Sequence, residues 1–208
     1  QGYEADDVIG TLATEAGNRG ITTYMMTPDK DYGQLVSENV FMYRPKYGDK
    51  EFEVMGVEEV KAKFNIESPL QVIDMLGLMG DSSDNIPGCP GVGEKTAQKL
   101  IAQFGSIENL LSHSTELKGA LKTKVESNKE MITFSKFLAT IKTDVPIELN
   151  MEELKKETPD EEALRKIFDE MEFRTLTERI LGREKKSTST ETPAPVQRSG
   201  QLSLFDEP

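Results

Sequence analysis

Hydrophobic residues recur at helical spacing near the start of the chain. Val8, Leu12 and Ala16 lie four residues apart between residues 4 and 18, which predicts an amphipathic helix over that range. A short run of apolar and β-branched residues at 21–26 follows and predicts a strand. A helix that leads directly into a strand is half of an α/β unit.

Two more strands and a helical second half complete the pattern. Strands at 40–43 and 52–54 are predicted to be joined through residues 45–49 in a hairpin-like excursion. From residue 57 onward the apolar positions keep helical spacing, so the fold class is α/β with a partial α/β layer followed by helices. The predicted helices cover about 57–64, 69–79, 94–104, 107–112, 117–142 with a break, 160–171 and 175–181.

Charge is distributed unevenly along the 208 residues, whose formal net charge is -12. Residues 1–84 carry 7 basic and 16 acidic side chains, residues 85–142 carry 8 and 5, and residues 143–208 carry 10 and 16. Phosphate contacts normally come from Lys and Arg, so the middle third is the part suited to DNA. The acidic first third is suited to a metal site.

Single residue types exclude several classes of protein. The one cysteine, Cys89, excludes an internal disulfide, and a reducing cytoplasm is the expected location. The one histidine, His113, excludes a His-based catalytic triad and a zinc site of His and Cys. No apolar run is long enough to span a bilayer, so no membrane role is expected.

Seven carboxylates stand in three tight groups, and they are the candidate catalytic and metal-binding residues. Carboxylate oxygens are the ligands that Mg2+ and Mn2+ prefer, and bound cations would relieve the repulsion among clustered acids. The third group leads straight into a glycine-rich turn at a helix start, where a phosphate can bind, and this pairing indicates a metal-dependent nuclease. The seven residues are Glu4, Asp6, Asp7, Asp29, Asp31, Asp81 and Asp84.

Two of the three groups also have a simpler explanation. Acids at 4–7 favour a helix N-terminus because of the macrodipole, and this explanation is as good as metal binding. Asp29 and Asp31 follow a strand, where Asp side chains commonly bond to the backbone of a turn. Asp81 and Asp84 end an apolar helix, where negative charge opposes the macrodipole, so this group indicates a nearby cation.

A glycine-rich turn at 88–93 follows the third acid group and leads into a predicted helix. It lacks the Gly-x-x-x-x-Gly-Lys-Ser/Thr spacing of a Walker A loop. Amides at a helix start can bind phosphate, and two lysines one helical turn apart would face the same DNA backbone. The predicted DNA contacts are Gly91, Val92, Gly93, Lys95, Thr96 and Lys99.

The three acid groups in this order, followed by Asp-Asn-Ile-Pro-Gly and Gly-Val-Gly-Glu-Lys-Thr-Ala, resemble the 5′-nuclease domains of bacterial DNA polymerase I, relatives of the flap endonucleases. The resemblance covers residues 2–182. It implies the C-terminal part of a 5′-nuclease (PIN-like) α/β core over 1–66 and a helical helix-three-turn-helix DNA-binding subdomain over 67–182. A flexible linker toward the next polymerase domain is expected over 183–208, whose polar composition cannot offset the cost of ordering.

The resemblance also implies a chemistry. The seven acids would surround two divalent ions, Mg2+ or Mn2+, for two-metal hydrolysis of phosphodiester bonds, and a K+ ion would lie at the helix-three-turn-helix. The substrates would be DNA with a 5′ flap or nick and RNA primers on DNA, in a bacterial cytoplasm, and a monomer is expected. The direct metal ligands would be Glu4, Asp6, Asp29, Asp31 and Asp81. Asp7 and Asp84 would either contact these ligands without touching the metal or bind the second ion.

The start of the chain departs from the family pattern. Gln1 is followed within three residues by Glu4, and the family's first strand, two further aspartates and basic helical arch have no counterpart. The implied metal site is therefore incomplete. The hypothesis is that this polypeptide binds DNA and metal weakly and cleaves poorly or not at all.

The tail contains Gln-Leu-Ser-Leu-Phe at 201–205, which looks like the pentapeptide that docks bacterial replication proteins on the β sliding clamp. Leu202, Leu204 and Phe205 would fill an apolar pocket, and Gln201 would add a directional hydrogen bond. An equally good explanation is that these residues begin the first strand of the next polymerase domain.

A non-catalytic DNA-binding module of helix-hairpin type is the alternative function. Residues 68–104 would suffice for it, and the acids would be solubilising surface. The spatial clustering of the seven carboxylates would distinguish the two functions. Their mutual repulsion destabilises a fold in which no cation is bound, so a binding module is expected to keep them apart.

Overall fold

The structure is a computed structural model that describes residues 2–46 and 52–182. Its chain divides into two compact units, Gln1–Met151 and Glu152–Pro208. The predicted linker at 183–208 lies outside the described residues. The predicted domain boundary between residues 66 and 67 stays a prediction.

The first unit opens with the predicted helix and a three-stranded sheet. Helix α1 is Ala5–Asn18, and the strands are β1 Thr23–Met26, β2 Val40–Pro45 and β3 Phe52–Met55. Strand β2 is central, parallel to β1 and antiparallel to β3. The helix and the three strands predicted from the hydrophobic pattern are confirmed, and the antiparallel β2–β3 pair is the expected hairpin-like excursion.

A 3-10 helix over Lys30–Leu35 follows β1, and the hydrophobic pattern did not predict it. The Asp29 carboxylate accepts a hydrogen bond from the Asp31 amide at 3.0 Å and begins this turn. The buried Gln34 amide then bonds to both sides of a later segment, donating to Ala139 O and accepting from Ile141 N, each at 2.9 Å. These bonds fix the acidic turn against the helical half of the unit.

Six helices complete the first unit close to their predicted positions. The break predicted within 117–142 falls at Asn128, which separates two helices. Helices α3 and α7 approach closely, since a Cβ on Gly77 would lie 3.0 Å from Lys136 Cα. The helices are α2 Val57–Phe64, α3 Gln71–Met79, α4 Glu94–Phe104, α5 Ile107–Ser112, α6 Gly119–Ser127 and α7 Lys129–Ala139, with a short 3-10 helix at Ser114–Glu116.

The loop between α3 and α4 is held in one conformation by backbone contacts. Gly88 has φ +62°, and a Cβ there would lie 2.3 Å from Gly80 N, so this position requires glycine. The Gly88 amide donates to the buried Ser135 hydroxyl at 3.0 Å. The Cys89 amide donates to Leu78 O at 2.8 Å. The loop is thus fixed to both α3 and α7.

The second unit contains helices α8 Glu161–Glu170 and α9 Arg174–Ile180, as predicted. Asp160 caps α8 by accepting a hydrogen bond from the Ala163 amide at 3.0 Å. The rings of Phe168 and Phe173 lie 6.2 Å apart between the two helices.

Within the part of the chain that the structure describes, no helix is long and apolar enough to cross a membrane.

Candidate metal centre and DNA-facing turn

Three of the predicted carboxylates meet although they are far apart in the sequence. Oxygen atoms of Asp31, Asp81 and Asp84 all lie within 4.8 Å of one another. Asp31 comes from the 3-10 helix after β1, and the other two come from the loop after α3. Asp81 is held by two backbone bonds with Ile86, of 2.9 and 2.7 Å. Asp31 and Asp81 are buried, and Asp84 is exposed.

The Asp31 carboxylate is poorly satisfied by the protein. Its Oδ1 atom is buried and has no hydrogen-bond partner among residues 2–46 and 52–182, and the Lys30 ammonium is 3.9 Å away. Burial, followed by the charge of Asp29, raises the pKa of Asp31 to about 7. An unpartnered buried carboxylate oxygen is costly in a protein, and a cation relieves that cost.

Lys30 acts as a counterion within the cluster, and the sequence analysis missed it. Its ammonium donates to Asp81 Oδ2, while Asp81 Oδ1 accepts from the Ser83 amide at 2.8 Å. Burial would raise the pKa of Asp81, but the Lys30 hydrogen bond holds this pKa below its usual range. Desolvation and the neighbouring charge of Asp81 raise the pKa of Asp84 instead. A lysine between two predicted ligands was the signal available in the sequence.

The first acid group lies at the same place. Glu4, Asp6 and Asp7 line a pocket of about 230 Å³ together with Asp31 and Asp84. The pocket thus joins the start of α1 to the three-carboxylate cluster. Five of the seven predicted acids line this pocket, and Asp81 belongs to the cluster beside it. Asp29 does not line the pocket, but its carboxylate accepts a hydrogen bond from the Asp31 amide and its charge raises the pKa of Asp31.

The protein already uses part of the hydrogen-bonding capacity of these acids. The buried Tyr32 hydroxyl donates to Asp6 Oδ1 at 2.7 Å, which orients that carboxylate. Asp7 accepts from the Lys142 amide at 2.9 Å and from the Glu4 amide at 3.3 Å. Asp6 and Asp7 both lie in the first turn of α1, where the macrodipole favours acids, and Asp7 also accepts the Glu4 amide in a capping box. Tyr32 is a second residue that the sequence analysis missed.

The donor set fits a hard divalent cation. It consists of carboxylate oxygens that converge from separate elements, and it includes one buried oxygen without a donor. Such oxygens suit Mg2+ or Mn2+ better than the softer metals. The Lys30 ammonium occupies Asp81 Oδ2, so a cation bound at that oxygen would replace it.

The glycine-rich turn presents some of its predicted residues and buries others. Gly93 begins α4 without a side-chain cap, and Lys95 and Lys99 are exposed one turn apart. Val92 is buried and its amide donates to Cys89 O at 2.9 Å, so this residue anchors the turn. The remaining members are the exposed Gly91, whose carbonyl accepts from Lys124 Nζ at 3.3 Å, and the half-buried Thr96.

The predicted clamp-binding residues Gln201, Leu202, Leu204 and Phe205 lie outside the described residues.

Two family models match consecutive parts of the chain. Residues 1–65 match the 5′-3′ exonuclease N-terminal resolvase-like domain. Residues 67–162 match the 5′-3′ exonuclease C-terminal SAM fold. The change from one model to the other falls where the sheet-containing part of the chain gives way to the helical part.

Curated relatives and a solved structure agree with these models. DNA polymerase I of Bacillus subtilis (strain 168) is 46% identical over 179 residues, which cover 86% of this chain and 20% of the relative. DNA polymerase I of Bacillus caldotenax is 41% identical over 194 residues, 93% of this chain and 22% of the relative. The chain thus spans about a fifth of the length of these relatives. The flap endonuclease of bacteriophage T5, in a pseudo-enzyme–product complex with DNA and metal ions, aligns with TM-score 0.60 and 21% identity over 69% of this chain and 52% of that chain.

Proposed function

The chain belongs to the 5′-3′ exonuclease family of bacterial DNA polymerase I, and from this premise we propose that it is the nuclease part of such a polymerase. The proposed reaction is hydrolysis of phosphodiester bonds at DNA 5′ ends with divalent cations. The observation that carries the proposal is the convergence of Asp31, Asp81 and Asp84 around a buried oxygen that lacks a donor.

The acids divide into proposed roles by their surroundings. Asp31, Asp81 and Asp84 hold one cation, and Glu4, Asp6 and Asp7 complete the pocket for a second. Asp29 fixes the turn that carries Asp31, and Tyr32 orients Asp6. When bound, divalent cations supply a hydroxide nucleophile and stabilise the charge that develops on the phosphate.

The α4 turn is proposed to hold the DNA that leads into this pocket. The uncapped start of α4 and the exposed Lys95 and Lys99 provide donors for a phosphate backbone. The T5 relative was solved with DNA and metal ions, which supports the same use of the fold here. A K+ ion at this turn remains part of the proposal.

The finer identities are proposals as well. Mg2+ or Mn2+, two in number, would be the ions, and the substrates would be 5′ flaps, nicks and RNA primers on DNA. A monomer in the bacterial cytoplasm is the proposed working form. Docking on the β sliding clamp through residues 201–205 is tested by calorimetry with a tail peptide, and absence of binding would remove it.

Metal binding is the first test, because the polypeptide itself is expected to cleave weakly. A cation at 100 times its Kd stabilises a protein by about 2.7 kcal/mol. This corresponds to a rise in melting temperature of roughly 5–10 °C with Mn2+. The combined variant Asp31→Asn, Asp81→Asn and Asp84→Asn should show no rise, and the exposed variant Glu58→Gln should respond like the wild type.

A non-catalytic DNA-binding module is the second candidate. It is favoured by the Lys30–Asp81 ion pair, which neutralises one carboxylate without any metal. The Mn2+ melting experiment, combined with a DNA titration, separates the two functions. A protein that binds 5′-flap DNA but whose melting temperature does not respond to Mn2+ would be such a module.

A further inference from the structure

A second pocket adjoins the acidic pocket in the first unit. Its volume is about 620 Å³, and Glu4, Asp7, Leu138 and Thr140 line both pockets, so the two are adjacent. The residues that belong to the second pocket alone are Gly2, Tyr3, Phe137 and Lys142. The acidic residues Glu4 and Asp7 and the aromatic residues Tyr3 and Phe137 thus line the same pocket.

The aromatic rings of this pocket are unusually accessible to solvent. Phe137 is 72% exposed and Tyr3 is 44% exposed. Phe137 stacks on Phe134 with ring centroids 6.4 Å apart and an interplanar angle of 21°. The two exposed rings thus lie together on one face of α7. Apolar surface of this kind beside a reactive pocket indicates a binding function.

We propose that the second pocket is a nucleobase-stacking subsite, in which Phe137 and Tyr3 receive the base of a nucleotide whose phosphate lies at the acidic pocket. This inference rests on the proposed function. Every base has a flat π face, so stacking on aromatic side chains binds single-stranded nucleotides with little dependence on sequence. The subsite therefore takes unpaired nucleotides at a DNA 5′ end.

Electrostatics explains why a stacking subsite would be needed at this position. The carboxylates that hold cations repel the phosphates of DNA, and Lys142, which also lines the pocket, is paired with Asp144. Stacking does not depend on charge, so it can retain a nucleotide beside an acidic wall. Lys95 and Lys99 of α4 would contribute phosphate contacts elsewhere along the DNA.

The test is a double-mutant cycle in which the aromatic ring is removed from the protein, the base is removed from the DNA, or both are removed. The 208-residue wild type and its Phe137→Ala variant are titrated with duplex DNA carrying a 5′ single-stranded flap, in Ca2+, by fluorescence anisotropy. The base is deleted in turn at each of the nucleotides flanking the flap junction. At one position the wild type should lose about tenfold in affinity, as expected for loss of one stacked base.

Phe137→Ala should bind intact DNA about tenfold more weakly than the wild type, and deletion of the same base should weaken it no further. Phe137→Tyr should restore the wild-type affinity and its dependence on the base. Tyr24→Ala is the matched control, because Tyr24 is an exposed aromatic residue of β1 outside both pockets. Equal melting temperatures show that the variants are folded.

Two outcomes would overturn the subsite. In one, the wild type binds intact and base-deleted DNA equally at every position. In the other, Phe137→Ala weakens binding by the same factor whether or not the base is present, so that the ring contacts something other than a base. Failure of the proposed function has a different signature, in which Asp81→Asn leaves Mn2+ binding unchanged. A wild type that binds none of these DNAs would refute both proposals.

Discussion

The charge of Asp31 lowers the stability of the folded protein in the absence of cations. Burial and the Asp29 charge raise its pKa to about 7, compared with about 3.9 in an unfolded chain. The folded state therefore binds a proton that the unfolded state has already lost. The protonated Asp31 carboxyl group therefore contributes stability that is fully present below pH 4 and is lost as the pH rises toward 7.

The variant Asp31→Asn should therefore be more stable than the wild type at pH 8 in EDTA. Because the carboxyl group is partly screened by solvent, we expect a gain of about 1 kcal/mol in the free energy of unfolding, less than the full pKa shift implies. At pH 4 the two proteins should differ little. Thermal melts at both pH values measure the effect, and the same variant should lose most of the Mn2+ response.

The exposed variant Glu58→Gln, which removes a surface carboxylate from α2, controls for the general effect of charge and should change stability little at either pH. If Asp31→Asn were the less stable protein at pH 8 in EDTA, the charge of Asp31 would be satisfied in a way that the structure does not show.

Lys30 and a divalent cation should compete for Asp81. Removal of the ammonium in Lys30→Met leaves the carboxylates unneutralised, so the metal-free protein should melt at a lower temperature. A cation would no longer have to displace the lysine, and we expect Mn2+ to bind about five- to tenfold more tightly, or ~1 kcal/mol. Isothermal calorimetry measures the affinity.

Lys61→Met is the matched control for this variant, because Lys61 pairs with the exposed Glu58 away from the acids. Unchanged or weaker Mn2+ binding by Lys30→Met would mean that the lysine does not compete with the cation.

At the scale of elements, the hydrophobic pattern located helices and strands well and tertiary contacts poorly. Helix α4 was predicted at its observed bounds because its apolar positions repeat over three turns. The 3-10 helix at Lys30–Leu35 was missed, since so short an element shows no hydrophobic period. Its lysine pairs with an aspartate 51 residues away, and only the packing of the loop after α3 against this turn creates that contact.

The candidate site was therefore predictable as a set of acids and not as a geometry. Three groups in the sequence were enough to name seven carboxylates, but not to show which oxygens converge. The burial of Val92 shows the same limit at the glycine-rich turn. An apolar side chain is typical of a buried position, whereas the prediction from the glycine-rich turn placed Val92 among the DNA contacts.

Helix α4 carries its own prediction. Lys95 and Lys99 are exposed on one face, and each phosphate contact releases about one counterion. The variants Lys95→Gln and Lys99→Gln should each lower the slope of log affinity against log salt concentration by about 1. Titrations of flap DNA at several salt concentrations measure the slope. Lys61→Gln on α2 should leave it unchanged, and an equal loss in all three variants would refute a specific role for α4.

At the scale of the whole molecule, a protein of net charge -12 is proposed to bind a polyanion. The distribution of charge makes this possible, because residues 85–142 carry 8 basic and 5 acidic side chains and contain α4. The acidic excess elsewhere includes the carboxylates that cations would neutralise. Binding at this site should therefore depend on divalent cations more strongly than contacts at α4 do.

The stability of the molecule should depend on its first unit. The hydrophobic core cluster, the sheet and the seven acids all lie within Gln1–Met151. A chain that ends at Met151 should unfold cooperatively. Its melting temperature should lie within about 4 °C of that of the 208-residue chain, or ~1 kcal/mol, and should rise by the same amount when Mn2+ is added.

A chain that ends at Ser127 lacks α7, with its buried Ile132 and Ser135, and should not fold. Circular dichroism melts compare the three chains. Loss of the Mn2+ response in the chain that ends at Met151 would show that residues beyond 151 are needed for the site, because all the proposed ligands are still present in it.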